Sequence, residues 1–103
     1  MHAVYASLTA LPGVVVGPED ANELADSLWA HATQEDGLEH VLVLAQSADR
    51  VDLILFLLEG SHPDPVRRVA ALIRECYRAS GTLPSKYEVP GEPVLDRLRP
   101  GAS

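Results

Sequence analysis

The stretch HVLVLAQSADRVDLILFLLEG, residues 40–60, decides the fold of this 103-residue chain. Two apolar runs flank a short polar turn, Ser47-Ala48-Asp49-Arg50, and the pattern predicts an antiparallel hairpin. A hairpin with one face in water alternates apolar and polar residues, whereas these runs are apolar at nearly every position. The sequence therefore raises the question of what covers the second face of the hairpin.

The segments around the hairpin predict one more strand and two helices. Residues 2–9 alternate as a strand does, with every second side chain on the same face. The first helix is predicted to begin at Pro18 and to end before Gly37, and the second to follow Asp64 and to stop at Gly81. Each helix has a single apolar stripe, which is typical of a helix that packs on one face of a sheet.

The chain changes character after the second helix and becomes rich in proline. Pro84 and Pro90 bracket a short edge strand predicted over 85–89, because proline cannot donate to the interior of a ladder. We expect a single α+β domain over residues 1–90. A Pro-rich C-terminal arm over 91–103 follows it, and its last residues are expected to be disordered.

The predicted order of elements is strand, helix, strand, strand, helix, strand. This βαββαβ order predicts a ferredoxin-like α+β fold, a two-layer sandwich in which two helices cover one face of an antiparallel sheet. The other face keeps about five large apolar side chains, which represent on the order of 10 kcal/mol of unused burial. The candidate interface residues are Leu42, Leu44, Ile54, Phe56 and Leu58. A second copy of the chain, the C-terminal arm, or another protein or ligand would cover them.

Composition and charge exclude several classes of protein. The chain carries 8 Lys and Arg against 15 Asp and Glu, a net charge of −7, which disfavours nucleic-acid and membrane partners. A single cysteine, Cys76, rules out an internal disulfide and a cysteine-based zinc site. No signal peptide is apparent, and the longest apolar run is far shorter than the ~20 residues of a membrane-spanning helix. We therefore expect a cytoplasmic protein.

Candidate site residues come from predicted positions, because the sequence contains no catalytic motif. The four histidines lack metal-ligand spacing and there is no glycine-rich nucleotide loop, so we predict neither a metal site nor a cofactor. Tyr5, Ser7 and Thr9 share one face of the first strand. If that face looks away from the helices, they add polar groups to an apolar small-molecule pocket. The alternative is a partly exposed strand face or a dimer seam.

Other conspicuous side chains have plainer interpretations. Asp52 lies among apolar neighbours and is either a site carboxylate or, as we favour, a partner for Arg50 at a strand end. Cys76 and Trp29 fall on the apolar stripes of the helices and are predicted to be core residues. The second helix also presents a basic strip, for which a solvated face is the simplest interpretation. Its members are Arg67, Arg68, Arg74 and Arg78.

The element order and the apolar back face over residues 2–90 resemble the dimeric α+β barrel superfamily, although no family motif is matched. That group includes cofactor-independent monooxygenases, small polyketide cyclases and non-catalytic homologues, and the resemblance implies that two copies pair sheet to sheet. The residues to test for an enzyme of this type are His2, Tyr5, His40 and Asp52. The stretch VVVGPEDANELADSL also has a likeness to the start of ACT-like regulatory ligand-binding domains.

Two functions from different classes follow. The first is a small accessory or protein-interaction domain that forms a homodimer, or binds a partner protein, through the apolar sheet face. The alternative is a cofactor-independent monooxygenase or cyclase that acts on an aromatic or polyketide-like small molecule. A small apolar ligand is therefore a further candidate partner, and the sequence leaves open whether the chain is an enzyme.

Overall fold

The computed structural model describes residues 2–60 and 63–95. The chain is an α+β protein with an antiparallel sheet on which helices pack. The strands are β1 (His2–Thr9), β2 (Leu38–Ser47), β3 (Arg50–Leu57) and β4 (Val94–Leu95). The helices are α1 (Pro18–His31), α2 (Pro65–Ala79) and the short α3 (Leu83–Lys86), with one 3₁₀ turn at Gln34–Asp36. The sheet order is β2-β3-β1-β4, and the two-residue β4 extends the free edge of β1.

The predicted hairpin of β2 and β3 is confirmed, with a tighter turn than its polar residues suggest. Ser47 pairs with Arg50, so that only Ala48 and Asp49 connect the strands. The Ser47 hydroxyl donates to the Asp49 carboxylate at 2.8 Å, and the Ala10 N–H donates to the Asp49 carbonyl at 2.8 Å. The turn is therefore held both by its own side chains and by the residue that follows β1.

The first long helix begins as predicted and ends earlier. Pro18 opens α1, and the Asp20 carboxylate accepts the Gly17 N–H at 2.8 Å, which satisfies a donor that the helix leaves unpaired. The helix ends at His31. Gly37 has a left-handed conformation, with φ of 67°, but it closes the 3₁₀ turn and not α1.

The second long helix begins in the predicted way. The Asp64 side chain accepts the backbone N–H of Arg67 at 3.2 Å, as expected of an N-cap. Pro65 occupies the first helical position, where a missing N–H costs no hydrogen bond. The helix ends at Ala79, shortly before the predicted stop at Gly81.

The core lies between one face of the sheet and the two long helices. Alternate residues of the two central strands are buried on that face: Val51, Leu53, Leu55 and Leu57 of β3, and Val4 and Leu8 of β1. The buried helix residues that join the same cluster are Leu24 and Leu28 of α1 and Val69, Leu72, Ile73 and Cys76 of α2. Because both helices bury their stripes on this face, neither of them covers the opposite face.

The segment after α2 differs from its prediction. Residues 85–89 do not form an edge strand, because Leu83–Lys86 is a helix and Tyr87 makes only an isolated bridge to Ala10. Pro84 lies in the first turn of α3, where proline is well tolerated. The proline that was expected to bracket a strand therefore helps to start a helix.

The last strand lies beyond the domain boundary predicted at residue 90. β4 falls within the predicted Pro-rich arm, and it pairs Val94 with Tyr5 and Leu95 with Val4. The sheet therefore includes part of the arm. The rest of the arm, residues 96–103, with the disordered end predicted there, lies outside the described residues.

Two further side chains are placed differently from their predictions, and one is placed as predicted. Trp29 is not a core residue, since it is 45% exposed. It lies about 100° further around α1 than the buried Leu28, beyond the edge of the stripe. Arg68 does not point freely into solvent, because its guanidinium pairs with the buried Asp36 carboxylate. Cys76 is buried, which confirms it as a core residue.

Candidate functional site

The sheet face opposite the helices carries the candidate site and is called the open face. Its side chains alternate with the buried ones: Ala3, Tyr5, Ser7 and Thr9 of β1; His40, Leu42 and Leu44 of β2; Arg50, Asp52, Ile54 and Phe56 of β3; and Val94 of β4. Four of the five predicted interface residues belong to it, namely Leu42, Leu44, Ile54 and Phe56. Strand pairing arranges most of these side chains in three rows that run across the strands.

The central row is apolar from one edge of the sheet to the other. Across β2, β3, β1 and β4 its members are Leu42, Ile54, Tyr5 and Val94. Val94 is 60% exposed, Leu42 38% and Tyr5 37%. A continuous exposed row of this kind marks a surface for contact with another molecule, because burying it is favourable.

The second row lies at the end of β3 and is aromatic. The rings of His40 and Phe56 have centroids 5.8 Å apart and planes inclined by 39°. Phe56 pairs across the ladder with Ala3, so the side chains of this row are large on β2 and β3 and small on β1. Leu58, the fifth residue of the predicted interface, lies just past the end of β3 and is 52% exposed.

The third row lies near the hairpin turn and is polar on β3 and β1. The Ser7 hydroxyl donates to Asp52 Oδ1 at 2.9 Å, and Arg50 Nε lies 3.0 Å from the same oxygen. Leu44 occupies this row on β2. The Asp52 carboxylate is therefore satisfied by a hydroxyl and by the guanidinium that the sequence favours as its partner, and it serves to hold the strand end.

The four residues named for a catalytic role do not meet at one point. Tyr5, His40 and Asp52 lie on the open face, but each belongs to a different row. His2 pairs with the buried Leu57 and so lies on the helix side of the sheet, at its end. The strand order thus brings three of the four to one surface without assembling a catalytic cluster.

A groove of about 390 Å³ follows β1 at the border of the open face and is called the edge groove. One wall is formed by the three hydroxyl residues that the sequence places on a common face, Tyr5, Ser7 and Thr9. The other wall comes from the tail and consists of Glu88, Val89, Gly91, Glu92 and Val94. The face of β1 that carries Tyr5, Ser7 and Thr9 therefore points away from the helices, and these side chains line a cavity.

The edge groove exists because the tail is longer than the strand it follows. The tail pairs with β1 at the Ala10–Tyr87 bridge and again where Tyr5 meets Val94. Six tail residues, 88–93, thus lie opposite four residues of β1, 6–9, and the excess moves away from the strand. The departure also fits the prolines of this stretch, which have no N–H for the ladder.

The acidic wall of the edge groove was not predicted from the sequence. Pro90, Gly91 and Pro93 signal that the chain leaves the ladder, and this signal is local. The placement of Glu88 and Glu92 depends on where the tail pairs with β1, which the sequence pattern does not encode. The Glu88 N–H donates to the Thr9 carbonyl at 2.8 Å and sets the start of the wall.

A smaller cavity of about 210 Å³ lies between α1 and the start of the tail. Lys86 Nζ donates to Asp20 Oδ1 at 2.7 Å, and this bond together with the Gly17 N–H holds the pKa of Asp20 below its ordinary value. Burial raises the pKa of Tyr87, which is 1% exposed, so its hydroxyl keeps its proton. These contacts fasten α3 to α1 and position the tail that forms the edge groove.

Comparisons with known proteins identified no relative of this chain. The chain gives no match to protein-family models, to curated proteins or to solved structures. Among the residues that the structure describes, no group of three or more His, Cys, Asp or Glu side chains is placed to hold a metal ion. None of the described helices is long and apolar enough to cross a membrane. Function is therefore inferred from the open face and the edge groove.

Proposed function

We propose that this protein is a ferredoxin-like α+β domain that self-associates through its open face. The observation that carries the proposal is the central apolar row, which crosses all four strands and is exposed at Leu42, Tyr5 and Val94. The antiparallel strand order β2-β3-β1-β4, with both long helices on one face, supports the ferredoxin-like topology.

The size of the open face fits a weak dimer. Three strands about 4.8 Å apart and three rows about 6.8 Å apart define a surface of roughly 14 by 20 Å, to which β4 adds only Val94. Side-chain relief adds to this flat area, and two copies face to face would bury somewhat less than about 1,000 Å² in total. That area is below the roughly 1,200–2,000 Å² of stable interfaces, so we expect a weak dimer, of about micromolar strength.

A second copy of the chain fits this face better than the C-terminal arm does. The residues after β4, 96–103, contain one large apolar side chain, Leu98, which is too little to bury the central row. The three rows carry a single carboxylate, Asp52, already paired with Arg50. The net charge of −7 is therefore carried mainly by other parts of the surface, and little like-charge repulsion opposes the contact of two open faces.

Sedimentation velocity at micromolar concentration tests the proposal. Ile54→Lys places an ammonium group in the middle of the central row and should convert the dimer to a monomer, because an unpaired charge is costly to bury. Val15→Lys is the matched control, since Val15 is 76% exposed in the loop before α1 and not on the sheet. This variant should sediment as the wild-type chain does.

Circular dichroism should show that both lysine variants remain folded, because neither position lies in the core. A wild-type chain that is monomeric at micromolar concentration contradicts the proposal. An Ile54→Lys variant that stays dimeric contradicts it equally, since association would then use another surface.

One observation favours a second function, that of a cofactor-independent monooxygenase or cyclase. The edge groove opens on the same face as Tyr5 and His40, and its volume of about 390 Å³ is in the range of small-molecule sites. The test is product formation by the wild-type chain from a panel of phenolic and polyketide-like compounds, compared with Tyr5→Phe. Turnover that depends on the Tyr5 hydroxyl supports this function, and a wild-type chain without turnover argues against it.

A further inference from the structure

The three rows of the open face differ in chemistry, and this difference restricts how two copies meet. One end of the face is aromatic, the middle is apolar, and the other end is polar at Asp52 and Ser7. A closed face-to-face dimer has a twofold axis in the plane between the two sheets, so every contact occurs twice. Facing sheets pack with their strands nearly aligned. The twofold axis therefore runs either parallel to the strands or perpendicular to them.

An axis along the strands places each row of one copy over the same row of the partner. It passes between the central strands, so that β3 lies over the partner's β1 and β2 lies over the partner's β4. Ile54 then faces the partner's Tyr5, and Leu42 faces the partner's Val94. The central rows of the two copies form one apolar layer, as they also do with an axis across the strands, so the aromatic and polar rows decide between the two axes.

The same axis also matches the sizes of the side chains. Phe56 and Ala3 are opposite each other in the ladder of β3 and β1. In this dimer β3 of each copy lies over β1 of the other, so the bulky Phe56 lies over the partner's Ala3. This contact occurs twice. A large side chain over a small one is the way in which facing sheets interdigitate at the density of a protein interior.

An axis across the strands gives a poorer contact. It lays β3 over the partner's β3 in the opposite direction, which puts Phe56 over the partner's Asp52. The ion pair of Asp52 with Arg50 would then lose water beneath an aromatic ring and gain no new hydrogen bond. This axis therefore mixes the aromatic and polar rows, whereas the axis along the strands separates them.

We infer that the protein forms a twofold dimer whose axis runs parallel to the strands of its open faces. The inference rests on the proposed self-association. It has a consequence for the edge groove, which borders β1 and β4: the partner's Leu42 and the partner's Leu44 come to lie over it. Each groove then becomes a chamber completed by the second copy, with the partner's leucines on one side and the hydroxyl and carboxylate groups of the groove walls on the other.

Cross-linking between the outer strands distinguishes the two axes. With the axis along the strands, Leu42 is about 10 Å from the partner's Val94, the usual distance between facing sheets. In the same dimer the two Leu42 positions are further apart, because β2 and β4 are about 14 Å apart across the sheet. Leu42→Cys and Val94→Cys variants are prepared separately, mixed, and treated with a bismaleimide that spans about 10 Å.

The expected result is a cross-linked dimer in the mixture and not with Leu42→Cys alone. A cross-link with Leu42→Cys alone shows the other axis and overturns the inference while the proposed self-association stands. Sedimentation separates the two claims, because a wild-type chain that is monomeric overturns both; the mixed variants are cross-linked at a concentration at which they sediment as a dimer. A dimer without either cross-link associates through another surface and also overturns both.

The wild-type chain is the control for the native thiol. Cys76 is buried, and burial raises the pKa of its thiol, so it should not react. Both substituted positions are partly exposed on the outer strands, which keeps the core unchanged.

Discussion

Replacement of Asp36 by alanine should lower the free energy of unfolding by about 3 kcal/mol. Asp36 is 2% exposed and lies in the 3₁₀ turn between α1 and β2. Its carboxylate accepts the Thr33 N–H at 2.7 Å and pairs with the Arg68 guanidinium of α2. Loss of the hydrogen bond that the Asp36 carboxylate accepts from the N-cap residue Thr33 costs about 1 kcal/mol. The unpaired Arg68 costs about 2 kcal/mol more, a reduced value because this side chain is 25% exposed and regains some water.

Thermal unfolding measures this loss, which corresponds to a fall in Tm of about 12 °C for a chain of this size. Asp26→Ala is the matched control, because Asp26 is exposed on α1, and it should change stability by less than about 0.5 kcal/mol. Addition of Arg68→Met to Asp36→Ala should recover part of the loss, since no uncompensated charge is then left. The reasoning is refuted if Asp36→Ala loses no more stability than Asp26→Ala.

Two further predictions concern the pH dependence of stability and a pair of tyrosines. Burial alone would raise the pKa of Asp36, but the Thr33 N–H and the Arg68 guanidinium outweigh it and hold the pKa below its ordinary value. Stability present at neutral pH should therefore be lost as the pH falls below about 5, and urea unfolding should show a smaller acid loss for Asp36→Ala. Tyr87→Phe should leave stability unchanged or slightly higher, because no described residue bonds to its buried hydroxyl, whereas Tyr77→Phe should cost about 1 kcal/mol. The Tyr77 hydroxyl donates to the Tyr87 carbonyl at 2.9 Å, and equal losses in urea unfolding of the two variants would contradict this difference.

The hairpin and the two long helices were predictable because their signals are local. The alternation of β3, the Asp64 cap and the prolines at the helix starts each depend on neighbours within a few residues. The same local pattern shows that one sheet face keeps an apolar surplus. It does not show which face, because Leu53 and Ile54 lie on opposite faces of β3 and both suit a core.

The tail was predicted less well because its structure depends on distant contacts. Pro84 is compatible with both a strand boundary and a helix start, and the hydrogen bond of Lys86 to Asp20 ties the helix to α1. The edge groove depends on the pairing of Tyr87 with Ala10, which lie far apart in the sequence. Its acidic wall had no local signal for the same reason.

The candidate site also combines features that were predictable from the sequence with features that were not. Four interface positions, Leu42, Leu44, Ile54 and Phe56, were assigned to a common face by their alternation, and the strands keep them there. Their order in rows, with Phe56 opposite Ala3, comes from the pairing of β3 with β1. The dimer axis inferred above depends on that register, and a register between distant strands is not written in either strand alone.

The sequence by itself determined β1, the hairpin, the two long helices, the alternation within these strands and the apolar surplus of the hairpin, because these follow from spacings of two to four residues. Only the tertiary structure decided which face the helices cover, which residues form each row of the open face and where the tail opens the edge groove. Those features depend on contacts between segments far apart in the chain, and many pairings of such segments are compatible with the same local patterns.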